Sequence, residues 1–343
     1  MKRTSVWSLL CVMGAMSSPV LAQSDLQRQI DACGQLSVCT ITVSSGVNVV
    51  YAPWNLRDKT ALTIHGDGSS VVIWWFPTDH APAVCMDTTG TANLVIENVT
   101  FALGNSSDVP GSLWVHGRGA DSRSQRGFYV SNVKFEGRGK KALVAVIALE
   151  NDLWQSVGFI NGWPNTPSLF MSRANEIGVT SQFGPIPVNM TTMTCTNHNF
   201  INCSFDHAGH EKLVPPDNNN RACGVTLGTG VHDWWAQGGS TSQGPRDAVL
   251  CLAGPNIRRI AVIGPNWEAE SALATIHVLP GAEVKALSVD HGLLQAAGPA
   301  VQADGTIDGL ELRPAEMLTG SILQLGPNGK LPGGLIVAGF AGR

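Results

Sequence analysis

Between Asp206 and Lys212 the chain packs Asp206, His207, His210, Glu211 and Lys212 into seven positions. Imidazoles, carboxylates and an amine at that density can take up, release or hold a proton near neutral pH. The spacing of His207, His210 and Glu211 matches no zinc motif, and no metal ligand is assigned. A second group follows: Arg221, then His232, Asp233, Trp234 and Trp235 in "VHDWWAQGG", then Arg246 and Asp247. Paired tryptophans offer a platform on which sugar rings stack, although strand neighbours alternate and would turn one indole inward. A third group is basic. From His116 to Lys141, Arg118, Arg123, Arg126, Lys134, Arg138, Lys140 and Lys141 stand against Asp121 and Glu136 alone. Such a stretch suits carboxylates of an anionic ligand.

These residues need a frame, and the chain supplies one by repetition. "LTIHG", "LVIENVTF", "YVSNVKF", "LWQSVGF", "NFINCSF", "IAVIGPNW" and "LSVDHGLL" share an apolar–x–apolar step, a turn residue, and a short strand ending in a large side chain. The turn residues are Gly66, Asn98, Asn132, Ser156, Asn202, Gly264 and His291. Gly, Asn and His tolerate a left-handed backbone, which a strand bending within two residues requires. The intervals between them run 32, 34, 24, 46, 62 and 27 residues. The short ones fit one coil of a β-solenoid; the long ones require inserted loops or a coil not detected. A weaker last copy is "GLELRP", around Leu310 and Leu312. The expected fold is therefore all-β, with each coil burying its inward side chains against the next. Segment 24–32 reads as an amphipathic helix that caps the open N-terminal end.

Rungs such as "LVIENVTF" and "FINCSF" resemble those of the right-handed parallel β-helix in pectate-lyase-like proteins. The resemblance spans roughly residues 40–315 and rests on the Asn-bearing turns and the recurring aromatics. It implies an extended substrate lying in a groove on the middle coils, walled by loops. The longest intervals flank the Asp206–Lys212 cluster, so the site is expected there. Neither the paired aspartates with Gly-His-Gly of polygalacturonases nor the Arg-Pro run of pectate lyases is present, and no catalytic residues carry over from them.

Composition sets the remaining bounds. Lys2, Arg3, the apolar run Val6–Met16 and "SPVLAQS" form a signal peptide with cleavage expected after Ala22, leaving one domain over 23–343 in the periplasm or outside the cell. No later stretch is long and apolar enough to span a bilayer. Without Lys2 and Arg3 the chain has 20 basic and 26 acidic residues, which argues against a nucleic-acid partner. Cys33 and Cys39 are expected to form a disulfide, with Cys195 and Cys203 the next candidates; Cys85, Cys223 and Cys251 read as buried thiols. The reading that fits best is a secreted lyase acting on an acidic polysaccharide by β-elimination, with C5-epimerisation its close variant. His207, His210 and Lys212 would serve proton transfer, and Arg221 would neutralise a carboxylate. Arg118, Arg126, Trp234, Trp235 and Arg246 would bind substrate. No motif demands a cofactor; calcium is the ion to include in an assay. The alternatives are a glycoside hydrolase using two of Asp206, Asp233, Asp247 and Glu268, and a non-catalytic binding protein of the tailspike kind. The sequence leaves the oligomeric state open.

Overall fold

The computed structural model describes residues 18–50, 52–75, 85–103, 112–117, 127–139, 141–162, 166–178, 182–184, 194–207, 222–241, 247–270 and 272–338, with side chains from Asp25 onward except those of Ser69 and His207. One helix, α1 (Ser18–Gln35), precedes parallel strands in sheets of 15, 10 and 4 members. Each coil runs along three faces. The first face holds Asn93–Glu97, Phe128–Ser131, Glu150–Gln155, Cys195–Ile201, Val231–Gln237, Ile257–Ile263, Glu283–Asp290 and Thr306–Arg313, stacked in that order. A tight bend leads to the second face, with strands such as Lys134–Gly137 and Ser204–His207. The third face is the 10-stranded sheet, from Trp54–Asn55 to Ser321–Leu325. Parallel strands joined by right-handed crossovers give a right-handed parallel β-helix, as expected.

The bends explain the motif. Asn98, Asn132, Ser156, Asn202, Gly264 and His291 all have φ between 51° and 61°. Asn132 Nδ2 donates to Asn98 Oδ1 at 2.9 Å, so the turn residues also bond from coil to coil. Gly66 departs from the expectation. It lies inside the continuous strand Ala61–Trp75, where a Cβ would meet the Asn98 carbonyl oxygen at 2.1 Å. The 62-residue interval holds an undetected coil that turns at Gly238 (φ 63°), and it splits into 36 and 26 residues. The 46-residue interval is one coil with an insertion, since Trp154 pairs directly with Phe200. A second left-handed row went unread: Asn151, Asn197, Asp233, Arg259 and Ala286 bend the first face itself.

The large residue closing each motif stacks inside. Phe101–Phe135, Phe135–Phe159 and Phe159–Phe205 have ring centroids 5.2–5.7 Å apart and nearly parallel planes. α1 is longer than expected and closes the N-terminal end with Leu26, Ile30 and Cys33, all buried. Gln29 exchanges two hydrogen bonds with the backbone of Thr42, pairing the exposed edge of the first strand, Val38–Val50. Lys59 Nζ donates to the Gly34 and Leu36 carbonyls, capping the C-terminus of α1. Cleavage after Ala22 would remove the first residues of this helix and none of these contacts.

The Cys33–Cys39 disulfide is present. Two other expectations are corrected. Cys195 and Cys203 are separate buried thiols: the Cys195 sulfur meets His198 Nε2, and the Cys203 sulfur donates to the Trp154 carbonyl. Cys223 and Cys251 form a second disulfide between neighbouring strands of the third face, with Cα atoms 6.1 Å apart. Cys85 is a buried thiol, as read. Among the described residues no helix is long and apolar enough to cross a membrane.

Candidate functional site

Every internal segment outside the described residues joins the third face to a neighbouring face; none interrupts the bend between the first and second. Insertions therefore enter and leave along the two edges of the third face. Trp114, Ala145, Ile147 and Phe170 form a second apolar cluster on the outward side of that face, outside the solenoid core. Polar groups flank that cluster along the axis. On the N-terminal coils, Arg57 Nε bonds the buried Asp87 carboxylate at 2.9 Å. Its other nitrogens donate to the carbonyls of Phe183 and Gly184, which ties that segment down. His116 is close by, its Nδ1 2.5 Å from the Gly117 oxygen; burial lowers its pKa and favours the neutral ring. Arg57 and Asp87 satisfy each other and a loop, which makes this set primarily a clamp.

The set on the C-terminal coils has a different geometry. His277 lies in the outward row beside Cys251 and Gln302 and is buried. Its Nδ1 is 2.8 Å from Asp247 Oδ1, and its Nε2 is 2.8 Å from Asp304 Oδ2. A neutral imidazole has one N–H, so two carboxylate partners require a doubly protonated ring or a proton on one carboxyl. Asp247 is buried, whereas the Asp304 side chain is 22% exposed. Asp304 stands in the wall of a cleft of about 330 Å³, with Glu283, Thr306 and Lys330 also lining it. Gln302 Nε2 holds Asp304 Oδ1 at 3.1 Å. A Cβ on Gly326 would stand 1.7 Å from the same oxygen, so only glycine leaves that carboxylate in place. The result is an acid–imidazole–acid relay running across the third face and opening on a cleft.

Of the residues singled out in the sequence, His210, Lys212, Arg221, Arg246, Arg118 and Arg126 lie outside the described residues. His207 ends the strand Ser204–His207, paired with Asn161, and only its backbone is described. The chain returns at Ala222 beside the Cys223–Cys251 bridge and again at Asp247, so both insertions rejoin next to the relay. Trp234 requires correction. It is fully buried against Phe200, ring centroids 5.4 Å apart, and belongs to the core. Trp235 is 40% exposed on the outer surface of the first face and does not line the cleft. Asp206 follows the core residue Phe205 on its strand and is buried on the other side of the second face, and its carbonyl accepts from Ser168. Asp233 accepts from Thr196 Oγ1 at 3.0 Å and forms an ion pair with Arg259. Asp247 is the one hydrolase candidate that enters the relay. His277, Asp304 and Lys330 were missed. Asp247, His277 and Asp304 follow one another at 30 and 27 residues, about one coil each, and that period was the available signal.

A separate polar set lies sealed in the core. His198 Nδ1 is 2.5 Å from Asp152 Oδ2 and its Nε2 is 3.3 Å from Cys195 Sγ. Trp154 Nε1 donates to the other Asp152 oxygen. Burial alone would lower the His198 pKa, but Asp152 and Cys195 more than offset it and hold it well above the ordinary value. All three side chains are buried, so the arrangement stabilises the stack and does not meet a substrate.

No family model matches the chain, and no curated protein matches it. Among solved structures it is similar to the A-module of the mannuronan C-5 epimerase AlgE4 of Azotobacter vinelandii, at 13% identity and a TM-score of 0.38, covering 91% of this chain and 96% of that one. A likeness this distant bears on no residue's chemistry.

Proposed function

We propose that the protein is a polysaccharide lyase that acts on an acidic, uronate-containing chain at the third face. The observation that carries this reading is His277 held between Asp247 and Asp304, with Asp304 facing a cleft that also presents Lys330. β-Elimination needs a base for the C5 proton, a cation for the adjacent carboxylate, and an acid for the departing oxygen. Asp304 takes the C5 proton, and His277 with Asp247 stabilises the proton it gains. Lys330 faces the uronate carboxylate, lowering the energy of the carbanion. The C4–O bond then breaks as the C4=C5 double bond forms, and the leaving oxygen takes a proton from solvent water. Lys212, Arg221 and Arg246, on the insertions that rejoin the chain beside the relay, supply further cations; His207 and His210 are the second proton-transfer candidates.

The test is ultraviolet absorbance of the unsaturated uronate, using purified protein and a panel of acidic polysaccharides with and without calcium. A rise that Asp304→Asn abolishes is the expected result. New reducing ends without absorbance would instead favour a glycoside hydrolase, since Asp304 and Glu283 line one cleft. No cleavage of any substrate would overturn both readings.

A further inference from the structure

The Asp247 carboxylate has a second set of neighbours. The sulfurs of Cys223 and Cys251 and an oxygen of Asp247 all lie within 4.8 Å of one another, and all three residues are buried. Zinc bonds thiolate at about 2.3 Å and carboxylate at about 2.0–2.2 Å, so two donors around one ion stand no more than about 4.6 Å apart. The two sulfurs are bonded to each other, and the Asp247 oxygen lies within 4.8 Å of both. Opening the S–S bond frees both sulfurs to spread around an ion. Two thiolates and one carboxylate oxygen give zinc three protein ligands and leave its fourth position open. Its outer support is also present, because His277 hydrogen-bonds Asp247 at 2.8 Å, as ligand carboxylates in metal sites normally require.

We infer that Cys223, Cys251 and Asp247 form a redox-selected metal site: a disulfide when oxidised, and a Zn²⁺ site when reduced. In the reducing step the S–S bond takes two electrons and two protons from two molecules of a thiol reductant, which join as their own disulfide. Zn²⁺ then binds as the two protein thiols release their protons. The two states exclude each other, because the sulfur electron pairs serve either the S–S bond or the metal. The ion would sit where the insertions 208–221 and 242–246 rejoin the third face, holding their roots together as the disulfide does. It would also place positive charge on the carboxylate that supports His277. The inference stands on donor geometry and holds whatever reaction the cleft performs.

The test uses the full chain. Oxidised protein and protein reduced with a trialkylphosphine are each dialysed against Zn²⁺, and bound metal and thiols are counted. One zinc per chain that Cys223→Ser removes is expected in the reduced protein, above whatever the oxidised protein takes up on Cys85, Cys195 and Cys203 and whatever the opened Cys33–Cys39 pair binds. Asp247→Asn should weaken the reduced site at least about tenfold, and Cys223→Ser should abolish it. Equal zinc in both states, or an affinity that Asp247→Asn leaves unchanged, would overturn the inference. So would loss of the β-sheet circular dichroism on reduction, since the site requires the fold with both thiols free.

Discussion

His198 and His277 show how one residue type serves two ends in this fold. His198 is sealed between coils with Asp152, and its pKa is raised well above the ordinary value of about 6.5. A group whose folded pKa is raised stabilises the protein fully below its unfolded pKa and loses that contribution as pH climbs through the folded one. The melting temperature should therefore fall as pH rises above about 6.5, and His198→Asn should flatten that slope. Asp152→Asn removes the charge that holds a buried imidazolium and should cost about 3 kcal/mol or more, read from urea midpoints. His277 has the same kind of partner but reaches a cleft through Asp304. Asp304→Asn should lower turnover by about 10²–10⁴-fold with the β-sheet spectrum unchanged. The sequence made other histidines prominent. His207 and His210 stand in a visibly polar run, whereas His277 sits in "ATIHVLP", an apolar strand. Its partners lie one coil away on either side, and a solenoid makes residues that far apart into neighbours.

At the scale of the single coil, the bend between first and second faces was legible because its backbone selects residue types. Asn132 has φ 51° and bonds Asn98 across coils. Asn132→Ala should cost about 1–2 kcal/mol, combining the left-handed penalty with the lost hydrogen bond. Asn132→Gly should cost less, since glycine meets no such penalty. That order reverses the usual one for a strand, and paired chemical denaturation curves would show it. The second left-handed row escaped notice because it includes Arg259 and Ala286, types with no preference for that conformation. Pairing with coils on both sides imposes it: Arg258 pairs His232 below and Lys285 above. The undetected coil has a similar cause. Its turn falls at Gly238-Gly239, and the strand after it, Ser240–Thr241, is too short to show an apolar alternation.

For the whole molecule, the exposed problem is the end of the stack, where an unpaired strand edge and open core invite another chain. The N-terminal solution is complete. Leu26 and Ile30 cover the core, Gln29 pairs the edge at Thr42, Lys59 caps the helix, and Cys33–Cys39 ties it to the first strand. The helix was legible from its amphipathic pattern and the Cys33–Cys39 bond from its six-residue spacing; Gln29 and Lys59 act across distances of 13 and 23–25 residues that no local pattern marks. The cap's role in keeping chains apart can be separated from its contribution to stability. Leu26→Asp with Ile30→Asp places charge against the core and should release the helix while leaving the coils intact. Each buried leucine or isoleucine is worth about 1.5–3 kcal/mol, a loss that a stack of this length survives because each coil is stabilised by its neighbours. The expected result is a β-sheet spectrum like that of the parent, with light scattering reporting a mass that grows with concentration as freed edges pair. A double variant that keeps the parent's mass at every concentration would show that α1 is not what protects this end.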